Sequence, residues 1–212
     1  MTQPIRLMIA EDHAIMREGL KQLFLLDAGI KVVAEAADGG RVLERLRAGD
    51  VDLLLLDISM PGISGEDLIN RISSQHPDLK ILVLSMFNEP QIAQRMLEHG
   101  ALGYITKDRN PEALLNAIRS VAGGARYIDH ELAQKIVFAQ YQSNSAPHEN
   151  LTLRERQIMI MLAHGESINA IADTLAISNK TVSTYKSRLM KKMGFSANAD
   201  IVKYAISHNL VQ

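Results

Sequence analysis

The sequence predicts an α/β domain with a doubly wound parallel sheet of five strands, followed by a small domain made only of helices. Between residues 5 and 122, five apolar runs alternate with segments of helical periodicity, and this alternation is typical of a parallel sheet with helical crossovers. No strand pattern follows Leu151. The charge changes near the same point, from 15 basic and 19 acidic residues before His148 to eight basic and five acidic residues from there on.

The elements of the first domain follow from the period of the apolar residues. The predicted strands are 5–10, 30–36, 51–57, 79–85 and 102–105. The first predicted helix has Ile15, Leu20, Leu23 and Phe24 as its periodic apolar residues, and the later helices are 40–48, 65–75, 91–99 and 111–122. Asp129 has the residue type that caps a helix, here one reaching about residue 138. The polar stretch 140–150 is typical of a linker. We therefore assign residues 1–125 to the first domain, 126–149 to a linker helix and flexible linker, and 150–212 to the second domain.

The second domain shows four helix signals. Thr152 and Glu155 have the spacing of a capping box and open a helix that ends before Gly165. A short helix over 167–175, a turn ending in Ser178, a third helix over 179–193 and a fourth over 198–208 complete the predicted domain. Two helices joined by a tight turn are the core of a helix-turn-helix.

Composition excludes several classes of protein. A hydrophobic share of 47% and a charged share of 22% are ordinary for globular proteins. No apolar run approaches the roughly 18 residues of a membrane span, and no signal-peptide pattern is visible. We expect a cytoplasmic protein without membrane contact. The absence of cysteine excludes disulfides, thiolate metal sites and cysteine nucleophiles.

Five polar residues follow predicted strands: Glu11, Asp12, Asp57, Ser85 and Lys107. The carboxyl ends of parallel strands share one edge of a sheet, where ligands bind in open α/β folds. Carboxylates about 4 Å apart repel by about 4 kcal/mol per pair at a dielectric near 20, so cations must offset them. Mg²⁺ is the cation that suits such oxygen ligands, and Lys107 supplies a second positive charge. Asp57 then has the surroundings of a nucleophile that forms an aspartyl phosphate.

Three stretches around this site, together with Ser85, carry a family resemblance. The acidic pair, the segment Asp57-Ile-Ser-Met-Pro61 with Gly65, and Gly103-Tyr-Ile-Thr-Lys107 resemble the receiver domain of two-component response regulators over residues 5 to about 123. The resemblance implies a flavodoxin-like (CheY-like) sheet. It also implies the following roles: Glu11, Asp12, Asp57 and the backbone carbonyl of Ser59 hold Mg²⁺, Asp57 accepts phosphoryl from the phosphohistidine of a sensor histidine kinase, Ser85 and Lys107 hold the phosphate, and Tyr104 is an aromatic switch.

The switch has a physical account beside the resemblance. Phosphorylation adds about −1.5 to −2 charges and three acceptor oxygens. If the Ser85 hydroxyl moves to donate to one of them, the vacated space admits Tyr104, which changes the surface around the strand that bears it. The alternative is that Tyr104 is simply a core tyrosine.

The third helix of the second domain has two distinct faces. Val182, Tyr185, Leu189 and Met193 recur at helical spacing and are expected to face the core. The other face combines hydroxyls with long basic side chains, a mixture that suits the major groove of DNA. The predicted DNA-binding residues are Lys180, Thr181, Ser183, Thr184, Lys186, Ser187, Arg188 and Lys191.

The second domain carries a resemblance of its own. The segments 151–156, 162–165, 171–172 and 177–182 resemble the LuxR-type helix-turn-helix, and its union with a receiver is typical of the NarL/FixJ group of transcription factors. Two departures stand out. Ile168-Asn-Ala170 replaces the Asn-Lys-Glu of many members, and serine stands at 183 and 187 where relatives often have lysine, so base preference does not transfer.

The expected function is that of a DNA-binding transcriptional response regulator. Phosphoryl transfer to Asp57 would change dimerisation or free the helical domain, and a phosphorylated homodimer would double the contacts with double-stranded promoter DNA. Two alternatives stay open: a phosphatase of the haloacid-dehalogenase type, which needs an acid where Ser59 stands, and a receiver whose DNA binding ignores phosphate. We expect no multiple-turnover enzyme activity and only slow self-dephosphorylation.

Overall fold

The computed structural model describes residues 3–141 and 146–211. The chain divides into two compact units, Met1–Tyr141 and Gln142–Gln212. In chain order, the elements of the first unit are β1 (Ile5–Ala10), α1 (Ala14–Leu25), β2 (Ile30–Ala36), α2 (Gly39–Leu46), β3 (Leu53–Asp57), α3 (Gly65–Gln75), β4 (Lys80–Ser85), α4 (Pro90–Glu98), β5 (Gly103–Thr106), α5 (Pro111–Ala122), β6 (Tyr127–Ile128) and α6 (His130–Tyr141).

The sheet of the first unit is parallel throughout, with the strand order β2-β1-β3-β4-β5-β6. The chain begins in the interior at β1, moves outward to β2, and returns past β1 to β3. This reversal of direction between β1 and β3 is the topological switch point at which doubly wound folds bind their ligands. The carboxyl ends of β1, β3, β4 and β5 therefore converge on one edge of the sheet.

The centre of the sheet is apolar because β3 is covered on both faces. All four leucines of Leu53–Leu56 are at most 1% exposed. Leu20 and Phe24 from α1 and Ile118 from α5 pack into the same cluster as Leu53 and Leu55. Full burial of such a side chain contributes roughly 1.5–3 kcal/mol, so this layer holds rigid the strand that ends in Asp57.

Most predicted elements of the first unit are confirmed within two residues, and two expectations need correction. Ile15 is 91% exposed rather than buried, because the inward face of α1 is formed by Leu20 and Phe24 further along the helix. The five predicted strands are accompanied by a sixth, β6, which has two residues. A strand of that length is too short to produce an alternation pattern.

The predicted helix after Asp129 is present. The Asp129 carboxylate accepts a hydrogen bond from the Leu132 N–H at 3.0 Å, and α6 continues to Tyr141, beyond the expected end near residue 138. The middle of the predicted linker, residues 142–145, lies outside the described residues. Pro147–Asn150 forms a 3-10 helix, so this part of the expected flexible linker is ordered. The boundaries after residues 125 and 149 stay predictions.

The second unit consists of helices in its described part, and all four predicted helices are confirmed. They are α7 (Leu153–Ala163), α8 (Ile168–Leu175), α9 (Asn179–Met193) and α10 (Asn198–Ser207). Both bonds of the predicted capping box are made, from the Glu155 N–H to the Thr152 hydroxyl at 3.2 Å and from the Thr152 N–H to the Glu155 carboxylate at 2.8 Å. The hydroxyls of Ser167 and Ser178 cap α8 and α9.

The core of the second unit brings apolar residues from all four helices to the centre. Ile158, Ile171, Val182, Leu189 and Ile201 are completely buried and form one cluster. The core fixes the rotation of α9, because Val182 and Leu189 point inward. Over the described residues, no helix is both long enough and apolar enough to cross a membrane.

Candidate functional site

Three charged residues from distant parts of the chain meet at the carboxyl edge of the sheet. Glu11 follows β1, Asp57 ends β3 and Lys107 follows β5. The Lys107 ammonium donates hydrogen bonds to Glu11 Oε2 at 2.7 Å and to Asp57 Oδ2 at 2.9 Å. The side chains of Glu11 and Asp57 are each 1% exposed, and that of Lys107 is 9% exposed. Two buried carboxylates therefore share one buried cation.

The loop after β3 orients the Asp57 carboxylate. Its Oδ1 accepts a hydrogen bond from the Ser59 N–H at 2.9 Å, so its two oxygens have different partners. Pro61 cannot extend the strand ladder, and Gly62 and Gly65 have φ values of 76° and 57°, in the left-handed region that glycine adopts without a steric penalty. The chain thus turns away immediately and leaves Asp57 at the edge.

Burial and ion pairing oppose each other in the pKa values of this site. Burial raises the pKa of Asp57, and the hydrogen bond from Lys107 only partly offsets it. Burial by itself lowers the pKa of Lys107, but its hydrogen bonds to Glu11 and Asp57 outweigh burial and leave that pKa raised. The lysine is therefore firmly protonated, and each carboxylate depends on it for charge compensation.

Asp12 completes the cluster that the sequence predicts. Its Oδ1 atom is buried and has no hydrogen-bond donor among the described residues. Ligand atoms from Glu11, Asp12, His13 and Asp57 all lie within 4.8 Å of one another. A group of carboxylate oxygens, one of them buried without a hydrogen bond, fits a hard cation such as Mg²⁺, which binds oxygen ligands. The ligand role of the Ser59 carbonyl stays a prediction.

His13 is a site residue that the sequence analysis missed. Its N–H and ring Nδ1 lie 3.1 Å and 3.0 Å from Glu11 Oε1, and Nδ1 is also 3.0 Å from Asp12 Oδ1. The hydrogen bond to Glu11 is the main reason that the pKa of His13 is raised. The signal available was its position directly after the acidic pair. An exposed nitrogen ligand is a poor match for Mg²⁺, so His13 is better explained as a partner of Glu11.

Ser85 and Tyr104 lie on neighbouring strands beside this cluster. Leu84 of β4 pairs with Asp57, so the following Ser85 is at the same edge. The Ser85 hydroxyl accepts a hydrogen bond from the Phe87 N–H at 3.1 Å, and the Tyr104 hydroxyl donates to the Phe87 carbonyl at 2.8 Å. Tyr104 is completely buried, and burial raises its pKa far above the usual value. Tyr104 thus already occupies an inward position, bonded to the segment that follows Ser85.

The predicted division of α9 into two faces is present in the structure. Val182 and Leu189 are buried, and Tyr185 and Met193 are partly buried. Exposed residues of the predicted DNA-binding set form the opposite face: Lys180, Ser183, Thr184, Ser187, Arg188 and Lys191. This face is accessible along the whole helix.

Contacts or partial burial limit the role of several α9 residues. The Thr181 hydroxyl lies 2.8 Å from that of Ser178, so it belongs to the helix cap, and Lys186 is only partly exposed. Thr184 donates to the Lys180 carbonyl at 2.9 Å. Lys192 is exposed as well, but it forms an ion pair with the buried Glu155 at 2.7 Å, so its charge is already paired within the second unit.

Comparison with known proteins agrees with both units. Residues 7–119 match the family model described as response regulator receiver domain. Residues 149–205 match the model described as bacterial regulatory proteins, luxR family. The two matches leave only the segment around α6 and the chain ends uncovered.

Relatives and solved structures extend over nearly the whole chain. Response regulator UvrY of Escherichia coli O157:H7 is 35% identical over 208 residues, covering 97% of this chain and 95% of that protein. Response regulator GacA of Pseudomonas aeruginosa is 32% identical and covers 98% of both. The structure of RcsB from Salmonella enterica serovar Typhimurium, bound to promoter rprA with the phosphomimetic BeF3−, has a TM-score of 0.68 at 28% identity, covering 95% of this chain and 98% of that chain. This chain therefore belongs to the two-component response regulators that join a receiver domain to a DNA-binding domain of the LuxR type.

Proposed function

We propose that this regulator is switched by a phosphoryl group on Asp57, which it takes from a sensor histidine kinase. One observation carries the proposal: the Lys107 ammonium lies between the buried carboxylates of Glu11 and Asp57, at 2.7 Å and 2.9 Å. A purely structural ion pair needs one carboxylate per cation. Here a second acid, and Asp12 beside it, add negative charge that only a further cation offsets.

The residues of the site have distinct roles in the transfer. An Asp57 oxygen forms the new bond to phosphorus as the phosphorus–nitrogen bond of the phosphohistidine breaks, and the departing imidazole keeps the electron pair. The Ser59 N–H orients the Asp57 carboxylate through the 2.9 Å bond to Oδ1. Lys107, already 2.9 Å from Oδ2, neutralises charge on the phosphoryl oxygens. The Ser85 hydroxyl donates to another of these oxygens.

The acidic residues would hold Mg²⁺. Glu11, Asp12, Asp57 and the Ser59 carbonyl are the proposed ligands, and the buried Oδ1 of Asp12, which accepts no hydrogen bond from the described residues, supports this assignment. When bound, the ion offsets the charge of the carboxylates and of the incoming phosphate.

The same site is poorly equipped for catalytic turnover. A phosphatase of the haloacid-dehalogenase type needs a general acid two residues after the nucleophile, where this chain has Ser59. We therefore propose that the aspartyl phosphate is lost only slowly and serves as a signal.

The output is binding of double-stranded promoter DNA by a phosphorylated homodimer. The exposed α9 face supplies hydroxyls and basic groups suited to a major groove, with Lys180, Arg188 and Lys191 as its charged members. From His148 onward the chain carries eight basic and five acidic residues, a small excess that favours two copies over one. RcsB, a relative of known structure, is described in a complex of dimers with DNA.

Intact-mass analysis of the full chain tests the phosphoryl acceptor. After incubation with Mg²⁺ and a small phosphodonor, the wild-type protein is expected to gain one phosphate, and Asp57→Asn none. Asp78→Asn is the matched control, because Asp78 is exposed and precedes β4 at the opposite edge of the sheet. A phosphate adduct that persists in Asp57→Asn would refute the assignment.

A further inference from the structure

Helix α6 is attached to the rest of the first unit by contacts that start beside the phosphoryl site. Besides its packing against α4, three attachments connect α6 to residues of that site or to residues within three positions of one. α6 is also the last element before the chain leaves this unit at Tyr141. Its position therefore bears on how a change at Asp57 reaches the second unit.

The first attachment connects α6 to the segment after β4. The Lys135 ammonium donates a hydrogen bond to the Asn88 side-chain carbonyl at 3.0 Å. Asn88 directly follows Phe87, whose N–H is bonded to the Ser85 hydroxyl at 3.1 Å. The backbone carbonyl of Phe87 also accepts a hydrogen bond from the Tyr104 hydroxyl at 2.8 Å. Ser85, Tyr104 and Lys135 are thus connected through two adjacent residues.

The second attachment holds the beginning of α6. Arg109 lies two residues after Lys107 and donates to Asp129 at 2.9 Å and to Glu131 at 2.8 Å. Asp129 is the residue that caps α6 through the Leu132 N–H. The guanidinium therefore fixes the helix start with charge-assisted bonds, which are stronger than neutral ones.

The third attachment is through the sheet. Ile128 of β6 pairs with Tyr104 of β5, and the chain passes from β6 into α6 within two residues. Leu132, in the first turn of α6, is completely buried. The start of the helix is therefore anchored by backbone pairing, burial and Arg109. Further along the helix, the 42% exposed Lys135 side chain bonds to Asn88 and also pairs with Glu131 of the same helix at 3.6 Å.

We propose that α6 is a latch that opens on phosphorylation, with the Lys135–Asn88 hydrogen bond as the part that breaks. The proposal rests on the proposed function of Asp57. When the Ser85 hydroxyl turns to donate to a phosphoryl oxygen, the Phe87 N–H loses its acceptor, and the segment 86–88 shifts. Asn88 then withdraws from Lys135. The start of α6 stays anchored, so the later part of the helix loosens and changes the path of the chain toward the second unit.

Hydrogen–deuterium exchange on the full chain tests the latch, with and without Mg²⁺ and beryllofluoride as phosphoryl mimic. Peptides covering α6 are expected to exchange roughly fivefold faster with the mimic, the effect of losing about one hydrogen bond. Lys135→Ala is expected to produce a similar increase without the mimic and to leave little further increase with it. Gln134→Ala is the control, because Gln134 is exposed on the same helix, and it should behave as wild type.

The outcomes separate the latch from the proposed function. The latch would be overturned if the mimic slows exchange in peptides around Asp57 while α6 peptides exchange at an unchanged or slower rate. That outcome would leave the proposed phosphoryl site intact. Unchanged α6 exchange in Lys135→Ala without the mimic would also overturn it. If the protein takes no phosphate by intact mass, the proposed function fails, and the latch fails with it. An Asn88→Ala, Lys135→Ala double variant should exchange no faster than either single variant.

Discussion

Replacing Asp12 by asparagine is expected to make the first unit more stable when Mg²⁺ is absent. Ligand oxygens of Asp12, Glu11 and Asp57 lie within 4.8 Å of one another, so each pair of charges repels by at least about 3.5 kcal/mol at a dielectric near 20. Lys107 offsets part of this repulsion, and the Asp12 side chain is 29% exposed. We therefore expect a net gain of about 1–2 kcal/mol in the free energy of unfolding, or roughly 3–8 °C in Tm.

Scanning calorimetry of the full chain measures this change, because the two units can melt separately. In EDTA the transition of the first unit should rise in Asp12→Asn and stay unchanged in the exposed control Asp78→Asn. Added Mg²⁺ should stabilise the wild-type protein, by about 2.7 kcal/mol at one hundred times its Kd, and stabilise Asp12→Asn much less. An Asp12→Asn protein that is less stable in EDTA, or that gains as much from Mg²⁺ as wild type, would refute the reasoning.

Three further changes test the second unit. Arg188→Ala or Lys180→Ala should weaken DNA binding and reduce the slope of log affinity against log salt by about 1 if the residue contacts a phosphate. The control Lys203→Ala on α10 should change neither the affinity nor the slope. Fluorescence anisotropy at several salt concentrations measures both quantities, and unchanged slopes in Arg188→Ala and Lys180→Ala would remove these two residues from the phosphate contacts. Leu189→Ala should cost about 2–5 kcal/mol of stability because Leu189 is completely buried; urea denaturation tests it, and a loss below about 1 kcal/mol would contradict the packing. Thr152→Ala should cost about 1 kcal/mol through loss of the capping box, and an unchanged urea midpoint would show that the box contributes nothing.

The cluster of Glu11, Asp57 and Lys107 was predictable because residue types and sheet topology together determine it. Glu11 and Lys107 are far apart in the chain, yet both follow strands of one parallel sheet, and parallel strands end at the same edge. The apolar run before Asp57 required a buried strand, and Pro61 required that strand to stop. Residue type and strand order were therefore sufficient to bring the three charged groups together.

Features that depend on tertiary packing were not predictable in the same way. Ile15 lies about 180° around α1 from Phe24 at 100° per residue, and the packing of Leu20 and Phe24 in the core decides which side of the helix faces inward. His13 has no pattern beyond its neighbours, and its contact with Glu11 depends on the turn after β1. Thr181 stands on the predicted DNA-binding helix, but its hydroxyl is turned to the Ser178 cap. The two-residue β6 exists only because β5 offers a free edge.

Phosphorylation of Asp57 is proposed to control the binding of DNA, and a titration with a phosphoryl mimic tests this proposal directly. DNA sequences selected from a random pool by the full chain are titrated with wild-type protein and with Asp57→Asn, each with and without Mg²⁺ and beryllofluoride. The mimic is expected to tighten binding of the wild-type protein and to leave Asp57→Asn unchanged. Equal affinities of the wild-type protein in both conditions, or an equal gain in Asp57→Asn, would contradict the account.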